Sequence, residues 1–181
     1  MVLGVTGASG VVYGVRLAEE LAKRGIQLTI IVSDAARKVF EFEMLGGVED
    51  LKKCGRVLSE HEMEADVSSG SAKSDATVIC PCSVKTLSAI ANGYSDNLIS
   101  RNADVALKEH RRLVLVVRET PLSAIHLENM LKLARLGAVI LPASPGFYHK
   151  PKTMEDLMDH VVGKVMDALG VETDLFRRWG S

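Results

Sequence analysis

Five short segments hold most of the hydroxyl, cationic and acidic groups that could converge on a ligand. They are Thr6-Gly7-Ala8-Ser9-Gly10, Ser33-Asp34, Pro81-Cys82-Ser83-Val84-Lys85-Thr86, Arg118-Glu119-Thr120-Pro121, and Pro142 to His149 with Tyr148 inside it. The first is glycine-rich and leads into an amphipathic segment, Val11 to Arg24. Its glycines let a phosphate approach the backbone, and the helix N-terminus behind them offers N–H groups and the positive end of a dipole. Ser83 opens a second helical pattern with Lys85 and Thr86 in its first turn, which suits one phosphate monoester. Both Ser9 and Ser83 also read as ordinary helix caps. The combined chemistry is that of a polar site for an anionic ligand carrying a ring.

These groups need a frame, and the apolar pattern supplies one. Continuous apolar runs predict buried parallel strands over Val2–Thr6, Gln27–Ser33, Ala76–Cys80, Leu113–Val117 and Ala138–Leu141. Helical patterns lie between them: Gly10–Arg24, Asp34–Leu45, Ser83–Asn92, Asn97–Glu109, Ser123–Leu136 and Thr153–Leu169. Gly25 and Gly137 stop two of these helices, and Thr153 with Asp156 starts the last. The alternation predicts one domain over residues 1–181: a three-layer, doubly wound parallel α/β sheet, Rossmann-like or flavodoxin-like. In such sheets ligands sit outside the carboxyl ends of the strands, and each of the five segments follows a strand. The polar stretch Glu60–Ser74 reads as a surface loop or a ligand lid.

Composition narrows the class. The 181 residues are 47% apolar and 25% charged, with a net charge of −1, so nothing draws the chain to nucleic acid or a membrane surface. No apolar run reaches the ~20 residues of a membrane span. The first residues carry no basic region, so no signal peptide is expected. Cys54, Cys80 and Cys82 are an odd number without scaffold spacing, which suits a reduced cytoplasm. Cys80-Pro-Cys82 is too tight for a zinc knuckle and has no second pair, so no metal site is expected.

Two nucleotide folds are excluded by local physics. The glycines at 4, 7, 10 and 14 do not form the strict G-x-G-x-x-G. The opening resembles that of short-chain dehydrogenases, and Tyr148-His-Lys-Pro-Lys152 matches their Tyr-x-x-x-Lys. Pro151 disfavours the helix that pair requires. A P-loop is absent, because Ser83-Val-Lys85-Thr86 lacks the glycines that wrap a triphosphate.

Six motifs in order resemble the UbiX-type flavin prenyltransferases of the homo-oligomeric flavin-containing Cys decarboxylase superfamily. They are Thr6–Gly10 with Tyr13-Gly-Val-Arg16, Cys80–Thr86, Ala103–Glu109, Val117–Pro121, His126–Met130 and Pro145–His149. The resemblance runs from Val2 to Trp179. It implies that reduced FMN is bound and takes a dimethylallyl group from dimethylallyl phosphate at N5 and C6, without metal. The product, prenylated FMN, would pass to a UbiD-type decarboxylase. A homododecamer with sites at subunit junctions is implied as well.

Residue by residue, the resemblance assigns FMN contacts to Gly7, Ala8, Ser9, Ser33, Ser83, Val84, Lys85, Thr86 and Arg118. Ser9 would lie near the reacting N5. The substrate phosphate would meet Arg101, Lys108, Tyr148 and Lys164, with Trp179 near the prenyl group. Glu43 and Glu119 match acids near the reaction centre, and Ser9, Glu43, Lys108 and Glu119 are the candidates for chemistry. Loss of the C6 proton requires a base, with Glu119, the released phosphate and a Ser9 relay all open. Lys164 departs from the family's Arg and loses the bidentate fork. His126 and His149 are read as structural. A sister activity, oxidative decarboxylation of a C-terminal cysteine, relies on an early His, and here none precedes His61. A non-catalytic FMN-binding protein is the other alternative.

Overall fold

The apolar runs become a six-stranded parallel sheet. The computed structural model describes residues 1–43 and 47–180. Its strands are β1 (Val2–Val5), β2 (Thr29–Val32), β3 (Arg56–Ser59), β4 (Ala76–Cys82), β5 (Arg112–Val117) and β6 (Val139–Pro142). The described helices are α1 (Val11–Lys23), α2 (Asp34–Glu43), α3 (Glu49–Lys52), α4 (Val84–Ala91), α5 (Leu98–Lys108), α6 (Ala124–Arg135) and α7 (Met154–Leu169). The strand order is β3-β2-β1-β4-β5-β6, with every neighbouring pair parallel. The chain builds outward from β1 to β3, then crosses back to β4. That reversal leaves a crevice between the carboxyl ends of β1 and β4.

Alternate strand residues face opposite layers. Leu3, Val5, Val78, Cys80, Val114 and Val116 pack with α1, α2 and α7. Val2, Ile31, Ile79, Cys82, Leu113 and Leu115 pack with α4, α5 and α6. The sheet therefore stands between α5 and α7.

The expected elements form with small changes at their ends. Ser83, Asn97, Ser123 and Thr153 each cap a helix by accepting from the third helical amide. Helix α2 was expected to reach Leu45; it is described to Glu43, and Leu45 lies outside the described residues. Strand β4 continues past Cys80 through Cys82, all buried, with a register shift between Ile79 and Cys82 around Pro81. Such a shift is where a residue without an N–H fits a central strand. The strand β3 was not anticipated. It is an edge strand with only Leu58 fully buried, so it carries no apolar run. The Glu60–Ser74 stretch includes a 3-10 turn at Asp66–Ser68. No described helix is long and apolar enough to cross a membrane. The cysteines are free thiols. Burial pushes the Cys80 and Cys82 thiols up, Cys82 to about 12, so both are inert core groups.

Helix α1 lies directly on β4 because residue 14 has no side chain. A Cβ there would fall 2.4 Å from the Cys80 carbonyl oxygen. Gly14→Ala is expected to cost about 1–3 kcal/mol through forced separation of the two elements, read as a lower thermal midpoint.

On the same helix Glu20 is 5% exposed. Burial disfavours its charge, but hydrogen bonds from Lys23 at 2.7 Å and Arg24 at 2.6 Å, with the nearby Arg16, outweigh it and hold the carboxyl below the ordinary glutamate value. A depressed folded value means the stabilisation is complete above the unfolded value of about 4.3 and is lost as pH falls through the folded one. Glu20→Gln should therefore destabilise by about 1–2 kcal/mol at pH 7. Thermal melts at decreasing pH should show the gap to the parent closing in acid.

Candidate functional site

Thr6 joins the two loops that flank the crevice. Its hydroxyl donates to the Pro81 carbonyl at 2.8 Å and accepts from the Ser83 amide at 2.8 Å. The end of β1 and the start of α4 are thereby held side by side, and a cavity of about 450 Å³ opens above them. Gly7, Ala8, Ser9, Ser33, Ser83, Val84, Lys85, Thr86 and Arg118 all line it, with Glu119. Thr6, the head of the first segment, and Glu60, the first residue of the expected loop or lid, complete the wall with Ala35, which alone was not anticipated. A larger cavity, about 710 Å³, lies at the opposite, amino-terminal edge of the sheet around Gln27, Lys53 and Arg111. None of the five polar segments reaches it, and α/β sheets do not place ligands at that edge.

The two helix ends at the crevice differ. At α4 the Ser83 hydroxyl accepts from the Thr86 amide at 3.3 Å, and the remaining first-turn amides have no partner within the helix. At α1 the cap residue is Gly10, with φ +98° and no side-chain acceptor of its own. Glu43 takes that place. Its Oε2 accepts from the Gly10 amide at 2.8 Å and the Val11 amide at 3.2 Å. A carboxylate of the chain itself thus occupies the positive end of α1, where the glycine turn suggested a phosphate. Ser9 faces the cavity, and its carbonyl accepts from Arg118 Nε at 3.0 Å across the crevice. Glu119 sits exposed at the rim, where its Oε1 accepts from the Thr120 amide at 2.9 Å.

Another rim cluster holds Asp34, Glu60 and His61. The Asp34 amide donates to Glu60 Oε1 at 2.7 Å, and Asp34 Oδ2 pairs with His61 Nε2 at 2.8 Å. The ion pair holds Asp34 below, and His61 above, their ordinary values. These three are the group of possible metal ligands found among the described residues, each already engaged with another member.

The expected phosphate contacts fall into two groups. Tyr148 and Trp179 meet edge to face with centroids 5.6 Å apart. Lys164, on α7, lies 3.5 Å from Asp167, which also holds Arg178. Arg101 and Lys108 lie on α5, seven residues apart, on one face and about 10 Å along the axis. Arg101 donates to the Ser68 carbonyl and pairs with Asp104, and Lys108 pairs with Glu109 at 2.9 Å. The sheet separates α5 from α7. One chain therefore does not bring Arg101 and Lys108 to Tyr148, Lys164 and Trp179.

The donor set of the crevice suits an anionic, ring-bearing ligand: hydroxyls from Ser9, Ser33, Ser83 and Thr86, cations from Lys85 and Arg118, and the amino end of α4. A polar crevice at the switch point of a doubly wound sheet defines a nucleotide- or flavin-binding α/β protein. The Flavoprotein family model matches residues 1–166. The flavin prenyltransferase UbiX of Methanothermobacter thermautotrophicus is 50% identical over 99% of this chain and 94% of its own. The solved structure of AnUbiX (PadA1), in complex with FMN and dimethylallyl pyrophosphate, superposes with a TM-score of 0.97 at 43% identity, covering 99% of this chain and 96% of that one. A dodecameric FMN-dependent UbiX-like decarboxylase from Escherichia coli O157:H7 superposes with a TM-score of 0.96 at 41% identity, covering 99% and 98%. The chain belongs to the flavoprotein family and, within it, to the UbiX-type flavin prenyltransferases.

Proposed function

We propose that this protein is a flavin prenyltransferase: it binds reduced FMN in the β1/β4 crevice and joins to it a dimethylallyl group from dimethylallyl phosphate. The observation that carries the proposal is the gathering of Gly7, Ala8, Ser9, Ser33, Ser83–Thr86 and Arg118 around one cavity at the switch point. The flavin, when bound, supplies the nucleophilic N5 and C6 positions. Gly7, Ala8 and Ser9 would hold it from the β1 side and Ser83, Val84, Lys85 and Thr86 from the α4 side, while Arg118 holds the Ser9 backbone across the crevice. Glu119, on the cavity rim, would accept the proton lost from C6, and Glu43 keeps the Ser9–Gly10 turn in place by capping α1.

The leaving phosphate is stabilised by Arg101, Lys108, Tyr148 and Lys164, each well-placed donor worth about 3 kcal/mol. No metal is required for this role. Trp179 shields the prenyl group beside Tyr148. Because the sheet parts α5 from α7, Arg101 and Lys108 come from a neighbouring copy, in a closed homo-oligomer such as the dodecamer of the E. coli relative. The product serves a UbiD-type decarboxylase. Free Cys54, Cys80 and Cys82 support a reducing, cytoplasmic setting.

The test is direct. The protein, reduced FMN and dimethylallyl phosphate are mixed anaerobically, and the flavin is weighed by mass spectrometry. The expected result is a gain of one dimethylallyl unit, faster with the monophosphate than with the diphosphate. No adduct with either donor overturns the proposal.

A further inference from the structure

Tyr148 is held by a residue that none of the motifs includes. His160 lies on α7 at 6% exposure. Its Nδ1 accepts from the Gly146 amide at 3.1 Å. An amide N–H only donates, so Nδ1 carries a lone pair and the single ring proton of the neutral imidazole is on Nε2. That Nε2 lies 3.3 Å from the Tyr148 hydroxyl oxygen. The Nε2–H therefore donates to the phenol oxygen, and the hydroxyl proton of Tyr148 remains free to point elsewhere. The reverse bond, Tyr148 donating to His160, would need a bare Nε2, which the Gly146 amide forbids.

The surroundings keep this arrangement in one state. His149 stacks on His160 with rings 6° from parallel and centroids 5.1 Å apart, and Phe176 tilts against it at 4.9 Å. Burial disfavours a second proton on His160, and His149 and Lys164 oppose it further, so the ring stays neutral. Residue 146 is a glycine at the tightest point. A Cβ there would lie 3.1 Å from His160 Nε2 and 3.2 Å from the Tyr148 ring.

We propose that His160 is a positioning residue: its Nε2–H fixes the Tyr148 hydroxyl as a donor aimed at the phosphate of the prenyl substrate. The chemistry favours this polarity. Phosphate oxygens at neutral pH accept hydrogen bonds, so a tyrosine that spent its proton on His160 would offer them only lone pairs. The inference rests on the prenyltransferase reading and on the contact of Tyr148 with phosphate.

Two variants separate the bonds of His160. In His160→Asn the amide oxygen replaces Nδ1 as acceptor for Gly146, and nothing reaches Tyr148. In His160→Gln an amide donor stands near the place of Nε2. Dimethylallyl phosphate is titrated calorimetrically into protein loaded with oxidised FMN, and turnover is then followed with reduced FMN. His160→Asn should raise both Kd and KM for dimethylallyl phosphate about tenfold. FMN affinity should stay at the parent value. The thermal midpoint should fall similarly in both variants, because each loses the ring packed on His149 and Phe176. His160→Gln should nevertheless recover most of the loss in binding. In a Tyr148→Phe background His160→Asn should have no further effect on binding.

Parent-like binding by His160→Asn overturns the inference. So does an equal loss with and without the Tyr148 hydroxyl, which would mark a merely structural role. Absence of adduct in the parent would instead remove the prenyltransferase reading, and a parent-like Tyr148→Phe would remove the phosphate contact; the inference falls with either. Neutron diffraction from the unaltered protein checks the same point without a variant. Deuterium on Nε2 of His160 is expected, and deuterium on Nδ1 overturns the proposal.

Discussion

Glu119→Gln retains FMN and slows adduct formation by about 10²–10⁴-fold, the range for loss of a positioned general base. The substitution keeps the size of the side chain, and an amide oxygen still accepts from the Thr120 amide that Glu119 engages at 2.9 Å. The local backbone is therefore preserved and only basicity is removed. Glu119 lies at the end of β5, on the cavity rim beside Arg118. From there a carboxylate can reach a ring held between the β1 turn and the start of α4. Ser9→Ala is the companion variant, because Ser9 faces the same cavity and its backbone is pinned by Arg118. Anaerobic stopped-flow absorbance gives the rate, and flavin absorbance of the purified variant gives FMN retention. If the released phosphate takes the proton, Glu119→Gln runs at the parent rate. If both variants do, the assignment of this end of the crevice is wrong.

Lys108→Ala and Lys164→Ala each lose about 10²–10³-fold in adduct formation, as expected for one phosphate donor, yet recover when the two variants share one oligomer. Lys108 is on α5 and Lys164 on α7, in layers on opposite sides of the sheet. A site built from both must draw them from different copies. Random assortment of the two variants then leaves about a quarter of such sites with both lysines intact. Co-expression with two affinity tags isolates the mixed species. Recovery toward that fraction supports a shared site. A mixture no better than its components means that Lys108 and Lys164 act within one copy, or that they do not bind the same phosphate. The loss at Lys164 should be the smaller of the two, because Asp167 holds both Lys164 and Arg178, leaving a second cation close to the vacated position.

The layout of the chain was largely readable from residue order. Parallel strands buried on both faces appear as apolar runs, which is why β1, β2, β4, β5 and β6 were visible. The edge strand β3 was not, since burial on one side leaves only Leu58 as a signal. Helix starts at Ser83, Asn97, Ser123 and Thr153 were readable because a cap is a contact over three residues. The crevice was readable for a different reason. Parallel strands all end at one edge, so segments far apart in sequence must meet there, and Gly7 to Ser9, Ser33, Ser83 to Thr86 and Arg118 do.

Sequence by itself thus determined five of the six strands, the edge that carries the site and the family to which the chain belongs. Tertiary structure decided three matters that depend on long-range placement. Glu43 caps α1 across 33 residues of chain, so a carboxylate of the chain stands at the helix end where the glycine turn suggested a phosphate. The sheet places α5, with Arg101 and Lys108, and α7, with Lys164, in opposite layers, so one chain does not gather them. The Gly146 amide, 14 residues from His160, sets the tautomer that orients Tyr148. None of these has a local pattern, because each is a contact between elements whose relative position exists only after the core has packed.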